Sequence, residues 1–371
     1  MMLELHRKLT LQGKSGLSVK QGLLRKLGLH SKPGMGERSY AYAKACGIIG
    51  KSFTGKRVKL LENAAKLSEL DRIVFPLGTR NLPEKELLLD LEDRIAERAV
   101  NSIISIVKCF SSPPELLILL LRSYEYADLR NAIVAAMQNE RTAPGHTDLG
   151  KYQTVRFKKW PDVKAMVEGT EFEFLLNKRG AFGKSQENMQ LETILDRHYY
   201  NALWKSLSLL GKSDKQAAEN ILSQEISLRN SSWVLRLRTY YGMQSEEVKL
   251  HLIDTPVKEG ESSLPNEVIH CLDFPLDDYS AWSSWRWKKF LNHDAEGRFW
   301  HVNPRYFQNA ASIYLYRLAC SNFHMRPFSL DTVFCFFKIK QFEEDILTSN
   351  AEGLGMGLTS NDTLGALGVA P

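Results

Sequence analysis

From Tyr40 onward, apolar residues recur every three or four positions, the spacing of one face of an α-helix. Residues 84–110 give the longest clean case, with Leu88, Leu91, Ile95, Ala99, Ile103, Ile106 and Phe110 in one stripe. Ser111-Ser112-Pro113-Pro114-Glu115 breaks this helix and starts another. A proline in a first helical turn lacks only an N–H that would have no partner there. The new helix is apolar on every side from Leu116 to Leu121, which predicts burial between neighbours. Trp160-Pro161-Asp162 opens a short helix ending near Gly169. Residues 189–210 return to the amphipathic pattern with Leu191, Leu195, Tyr199, Leu203 and Leu207. Gly211 stops that helix, and Ser213-Asp214 starts the next, whose stripe is Ala218, Leu222, Ile226, Trp233 and Leu237 and whose end is Tyr241-Gly242.

Residues 254–281 hold Pro256, Pro265 and Pro275 and read as a connector, followed by a short helical stretch with Trp282, Trp285 and Trp287. Asn303-Pro304 caps a helix that turns Phe307, Ala311, Tyr314 and Leu318 inward, and Pro327 to Asp331 opens the last long helix. Only residues 152–157 resemble a strand, and charge interrupts them. The predicted class is all-α.

Two of these helices share a sequence. Residues 119–131 end in Leu129-Arg130-Asn131, and residues 218–230 end in Leu228-Arg229-Asn230 at the same helical position. A weaker third copy runs over residues 337–346. Repetition of this kind points to a scaffold of similar helical units rather than one active-site cleft.

A chain of 371 residues, 43% of them hydrophobic, is long enough for a substantial core. The net charge of +6 is mild, but part of it is local: residues 1–38 carry eight Lys or Arg against two Glu. Residues 1–37 therefore read as a basic flexible arm, and the Gly-rich residues 354–371 as a loosely ordered tail. No apolar run reaches the ~20 residues of a membrane span, and the N-terminus lacks the apolar stretch of a secretory leader. Five scattered cysteines without CxxC spacing predict reduced thiols and a cytoplasmic location.

Candidate chemistry is sparse. Gly47-Ile48-Ile49-Gly50-Lys51-Ser52 resembles a phosphate-binding loop, but Ala45 stands where that motif needs glycine and the segment follows a helix, not a strand. Gly183-Lys184-Ser185 fails likewise, with Lys178 at the glycine position. The nine histidines have no metal-ligand spacing, and His198, near the apolar face of its helix, is expected to be a hydrogen-bonded core residue. Glu192/Asp196 and Glu343/Glu344 are expected on helix surfaces, solvated or ion-paired, while Glu225 and Arg229 are spaced to pair along one helix. The segment from Trp282 to Phe290 mixes indoles with Arg286, Lys288 and Lys289. It could stack nucleic-acid bases, although Trp inward and Lys outward is the simpler expectation. No catalytic, cofactor-binding or metal-ligating residue is assigned.

Several stretches together resemble a known family. They are Tyr40-Ala41-Tyr42-Ala43-Lys44, residues 121–131, Val167-Glu168-Gly169-Thr170-Glu171-Phe172, residues 191–200 with Leu195-Asp196 and Tyr199-Tyr200, and Ile226 to Asn230 followed by Arg236-Leu237-Arg238 and Gly242. Their order is similar to that in the C-type subunits of bacterial and archaeal V-type (A-type) ATP synthases, which are related to the d-type subunits of eukaryotic V-ATPases. Lys44 departs from the family's usual Arg, and Lys340-Gln341-Phe342-Glu343 is near its Lys-Glu-x-Glu but lacks the following Asn. The resemblance spans about residues 40–353.

The resemblance implies three similar helical units about a pseudo-threefold axis, forming a funnel, with boundaries at 38–150, 151–253 and 254–353. It implies a non-catalytic central-stalk subunit that links the rotary shaft to the membrane rotor ring, transmits torque for proton or sodium transport, and carries no cofactor. The expected partners are the proteolipid subunits of the ring and the shaft subunits. The expected location is cytoplasmic, peripheral to the membrane, with the basic arm aiding contact. The rival expectation is a helical nucleic-acid-binding protein using that arm and the Trp285–Lys289 region.

Overall fold

The computed structural model describes residues 33–178, 185–254, 266–293 and 299–369. Among them the protein is all helical, with no strand. The described residues form twelve α-helices: α1 (Met35–Ile49), α2 (Leu67–Val74), α3 (Glu84–Val107), α4 (Glu115–Met137), α5 (Val163–Val167), α6 (Ser185–Leu207), α7 (Lys212–Tyr241), α8 (Ser245–Lys249), α9 (Asn266–Asp273), α10 (Pro304–Phe323), α11 (Leu330–Gly355) and α12 (Ser360–Ala366). Short 3-10 turns join them.

The ends follow local chemistry. Asn303 accepts from the Arg305 and Tyr306 amides, with Pro304 in the first turn of α10. Asp162 caps α5 through the Ala165 amide. Gly242, at φ +62°, closes α7 in the left-handed conformation that glycine adopts without strain.

Helix α11 is the hub. It packs against α1, α2, α3, α4, α7, α10 and α12, and Leu330 to Phe337 are buried without a break. A central apolar cluster joins α1, the second half of α3, α4, α6 and the first halves of α7 and α11. A second lies between the end of α7, α8, α9, the tryptophan segment and the start of α10. A third gathers the 3-10 turn Gly55–Asn63, α2, the first half of α3, the end of α11 and α12. The predicted stripes sit in these clusters: Leu191, Leu195, Tyr199, Leu203 and Leu207 of α6 are all buried, as are five of the six residues Leu116 to Leu121. In the first turn of α3, Leu87 is the buried residue and Leu88 is half-buried, one position from the predicted phase.

Each helix of the repeat holds a neighbouring loop with a buried polar side chain. On α4, Glu125 accepts from the Thr154 and Val155 amides at 2.5 and 2.6 Å. On α7, Asn230 both donates to and accepts from the Ile253 backbone at 2.9 Å. On α11, Glu343 accepts from the Phe53 amide at 2.8 Å. The first of these disposes of the strand candidate: the amides of Thr154 and Val155 are consumed by a carboxylate rather than a sister strand.

Several expectations are corrected. α1 begins at Met35, not Tyr40, so the arm is shorter than 37 residues; Arg38 and Glu37 anchor that first turn to Asp214 and Ser111. Residues 1–32 lie outside the described residues, as do Gly183 and Lys184. The connector contains α9. The tryptophans lie in two 3-10 turns, Tyr279–Trp282 and Lys288–Phe290, and the bend between them rather than on an α-helix. The Gly-rich tail forms α12, capped by Thr359 and fixed by Ser360 donating to the Ala64 carbonyl, with Leu364 fully buried.

Candidate functional site

One stripe from each of five helices faces a common cleft of about 670 Å³. α4 contributes Ser123, Tyr124, Tyr126, Ala127 and Arg130; α6 Glu192, Leu195, Asp196, Tyr199 and Tyr200; α7 Glu225, Leu228, Arg229, Ser232, Trp233 and Arg236. α10 adds Gln308, Ala311, Ser312, Leu315 and Tyr316, and α11 adds Lys338, Gln341, Phe342, Glu344 and Asp345. Within each set, residues recur three or four positions apart with neighbours between, so each helix turns one long face to the opening. Three of these helices carry the sequence repeat.

Polar links cross the cleft walls between helices. Arg130 of α4 pairs with Glu192 of α6 at 3.0 Å. Arg229 of α7 places two nitrogens on Asp196 Oδ2 of α6, at 2.9 and 2.5 Å. Lys338 Nζ of α11 donates to Glu225 Oε1 of α7 at 2.7 Å, and the same oxygen accepts from Tyr200 of α6 at 3.0 Å. Lys338 also donates to Gln341, whose amide donates to Ser123 of α4. Tyr124 Oη donates to Glu344 Oε2 at 2.5 Å. Such partly enclosed pairs fix helix against helix more than they add stability.

The acidic side of the cleft is perturbed. Burial, with a smaller push from Asp345, raises the Glu344 carboxyl to about 8 against the hydrogen bond from Tyr124 and the charge of Lys340. Asp345 is raised to about 6 by desolvation that Lys338 opposes. Cleft solvent still reaches Asp345, so Glu344 is the stronger case.

The residues singled out from sequence fall as follows. Glu192 and Asp196 are ion-paired, as expected. Glu225 and Arg229 do not pair with each other. α11 and α6 pack on that face of α7 and offer Lys338 and Asp196 instead. Glu343 is not on a solvated face but 1% exposed, paired with the equally buried Lys340 on the side of α11 that packs against α3, while Glu344 lines the cleft half-buried. His198 is half-buried, shares a 2.6 Å hydrogen bond with Tyr126, and stacks on Phe174, and desolvation lowers its pKa.

Gly50, Lys51 and Ser52 cannot cradle phosphate. Their amides already donate to Cys46, Ile48 and Ile49, and they sit at the carbonyl end of α1, where the helix dipole disfavours anions. Ser52 is buried against Lys340. Trp282, Trp285 and Trp287 are all buried, with their indole N–H groups donating to Pro275, Glu267 and Ser227. Trp inward is the arrangement found, and none of these three indoles offers a face to stack a base. All five cysteines are free thiols. Among the described residues, no group of His, Cys, Asp or Glu has the arrangement of a metal site, and no helix is long and apolar enough to cross a membrane.

Sequence reasoning found every wall helix but missed that the walls enclose one cleft. It also missed Asn350. Asn131 lies six positions after Glu125, Asn230 six after Gln224, and Asn350 six after Glu344, so the third copy extends four residues past Ile346.

Among known proteins, the family model described as "ATP synthase (C/AC39) subunit" matches residues 80–364. The chain is also similar to an uncharacterized protein of Treponema pallidum (strain Nichols). The two are 27% identical over 319 residues, which cover 86% of this chain and 92% of that protein.

Proposed function

The chain belongs to the ATP synthase (C/AC39) subunit family, and from that premise we propose that it is a non-catalytic central-stalk subunit of a V-type ATPase or ATP synthase. In this reading it links the rotary shaft to the membrane rotor ring and passes torque between them for proton or sodium transport. Three helical units, at 38–150, 151–253 and 254–353, surround the cleft as a funnel, and the cleft receives the end of the shaft. The subunit works at the cytoplasmic side of the membrane, held there by its partners.

The observation that carries this reading is the cleft itself. Its walls include one helix from each repeat copy. Ion pairs and hydrogen bonds tie α4, α6, α7 and α11 to one another around it. A torque-bearing socket needs walls that do not slide, and close-packed helices cross-linked by polar contacts supply that. A mixed polar and apolar lining suits a protein segment better than a small apolar ligand.

The test is recovery from detergent-solubilised membranes. The full-length chain should co-purify with rotor-ring and shaft subunits. Ala127→Trp or Ser312→Trp should fill the cleft without removing any ion pair, leave thermal unfolding close to that of the parent, and lower shaft recovery. A chain found only as a free monomer beside an intact ATPase would sink the proposal.

A further inference from the structure

Three interhelical turns meet at one end of the molecule. The α3–α4 turn is tied to α1 by the Ser111 amide, which donates to Glu37 Oε1 at 2.8 Å. The α6–α7 turn is tied to α1 by Arg38 on Asp214 at 3.0 Å. It is tied to the α10–α11 turn by Arg326 Nη1, which donates to Ser213 Oγ at 3.0 Å, and by the Leu330 amide on Asp214. Tyr42 of α1 packs its ring against Phe323 and Phe328.

This end presents apolar side chains to solvent from each of the elements that form it except the α3–α4 turn. Met35 is 67% exposed, Leu209 56%, Met325 71% and Phe328 47%. Lys108, Lys212, Lys215 and Arg326 are exposed around them. Three nearby carboxylates are committed inward, while Glu115 at the start of α4 is half-buried: Glu37 accepts from the Gly34 and Ser111 amides, Asp214 pairs with Arg38, and Asp331 is buried beside Arg326. The chain also enters here. Residues 1–32 carry seven Lys or Arg against one Glu.

We propose that this end rests on an anionic lipid bilayer, its apolar side chains at the headgroup boundary and its lysines on lipid phosphates. Isolated apolar side chains set among exposed lysines match a surface that is apolar beneath and negative above. A protein-docking core would instead gather its apolar groups centrally and deplete lysine. The inference rests on the proposed function only for placing the subunit beside a membrane.

The experiment is flotation of the full-length chain with phosphatidylcholine vesicles, with and without phosphatidylserine, at low and high salt. Binding should require phosphatidylserine and weaken as salt rises. Lys212→Glu with Lys215→Glu should weaken it about tenfold or more. Met325→Ser with Phe328→Ser should also weaken it, with the charge unchanged. Lys85→Glu with Lys249→Glu, in the first turn of α3 and the last turn of α8, should bind as the parent does. All substitutions are at exposed positions, and unchanged thermal unfolding checks each fold. Binding that ignores phosphatidylserine, or a Lys212/Lys215 reversal that binds like the parent, overturns the inference. So does a reversal that leaves vesicles untouched but releases ring subunits in detergent, since the end then docks protein. Failed flotation with intact co-purification removes this inference alone. Intact flotation with no co-purification removes the central-stalk reading alone.

Discussion

Tyr124 and Glu344 meet across the cleft, the phenol of α4 donating to the carboxyl of α11 at 2.5 Å. Both are partly enclosed, and the carboxyl holds its proton up to about 8. The folded chain therefore binds a proton that the unfolded chain has already released. Stability should fall as pH rises from about 4.5 to about 8 and level off above that. Glu344→Gln keeps an acceptor for Tyr124 and removes the titrating group. It should be more stable than the parent by about 1–2 kcal/mol at alkaline pH, with the gain vanishing in acid. Urea unfolding across the pH range measures this, and a parent–variant difference independent of pH would place the proton elsewhere.

Lys340 and Glu343 form an ion pair one turn apart on α11, each 2% exposed or less. Glu343 also accepts from the Phe53 amide and from Arg98 at 3.2 Å, so one carboxylate holds α11, α3 and the turn after α1 together. Glu343→Ala strands a buried ammonium and should cost ~3–5 kcal/mol. Lys340→Met in the same background should recover part of that loss, because it removes the stranded charge. A double-mutant cycle by chemical denaturation reads the coupling; additive losses would mean the pair acts as two separate groups.

How far the fold can be read from sequence depends on what each residue's neighbours are. The stripe of α6 was legible because periodicity and burial coincide there, as Leu191 to Leu207 show. The ends of α5, α7 and α10 were legible because a cap is a local event. Glu225 was not, because its partner Lys338 lies 113 residues away, and an i,i+4 rule sees only its own helix. Glu343 looked like a surface group for the same reason. The α12 tail was obscured by composition: Gly353 to Gly368 suggested looseness, while Thr359 and Asp362 already spelled a cap. As for the cleft, the five stripes were readable but their convergence was not, since it depends on how α10 and α11 are placed between α4 and α7.

Leu195 and Leu203 stand two turns apart on α6, at 3% and 0% exposure. Both should lose stability on truncation to Ala, within ~2–5 kcal/mol. Leu195 borders the cleft, where solvent and side chains can move into the space, so it should fall at the low end. Leu203 is enclosed in the central cluster and should fall at the high end. Thermal and urea unfolding of the two variants would expose an error in this assignment if Leu195→Ala proved the costlier change.

Gly353 closes the contact between α11 and α12. A Cβ there would stand 2.2 Å from Thr363 Oγ1 and 3.1 Å from its Cγ2. Contacts that short force a shift of α12, whose Leu364 fills the third apolar cluster and whose Ser360 is bonded to Ala64. Gly353→Ala should therefore destabilise by ~1–3 kcal/mol, although alanine favours a helix more than glycine does. Thr363→Ala clears the two nearest atoms and leaves only Thr363 Cβ, at 3.2 Å. The double variant should then regain most of the loss, with hydrogen exchange of the α12 amides returning toward that of the parent. If Gly353→Ala alone matched the parent in both stability and exchange, the close approach of the two helices would not hold in solution.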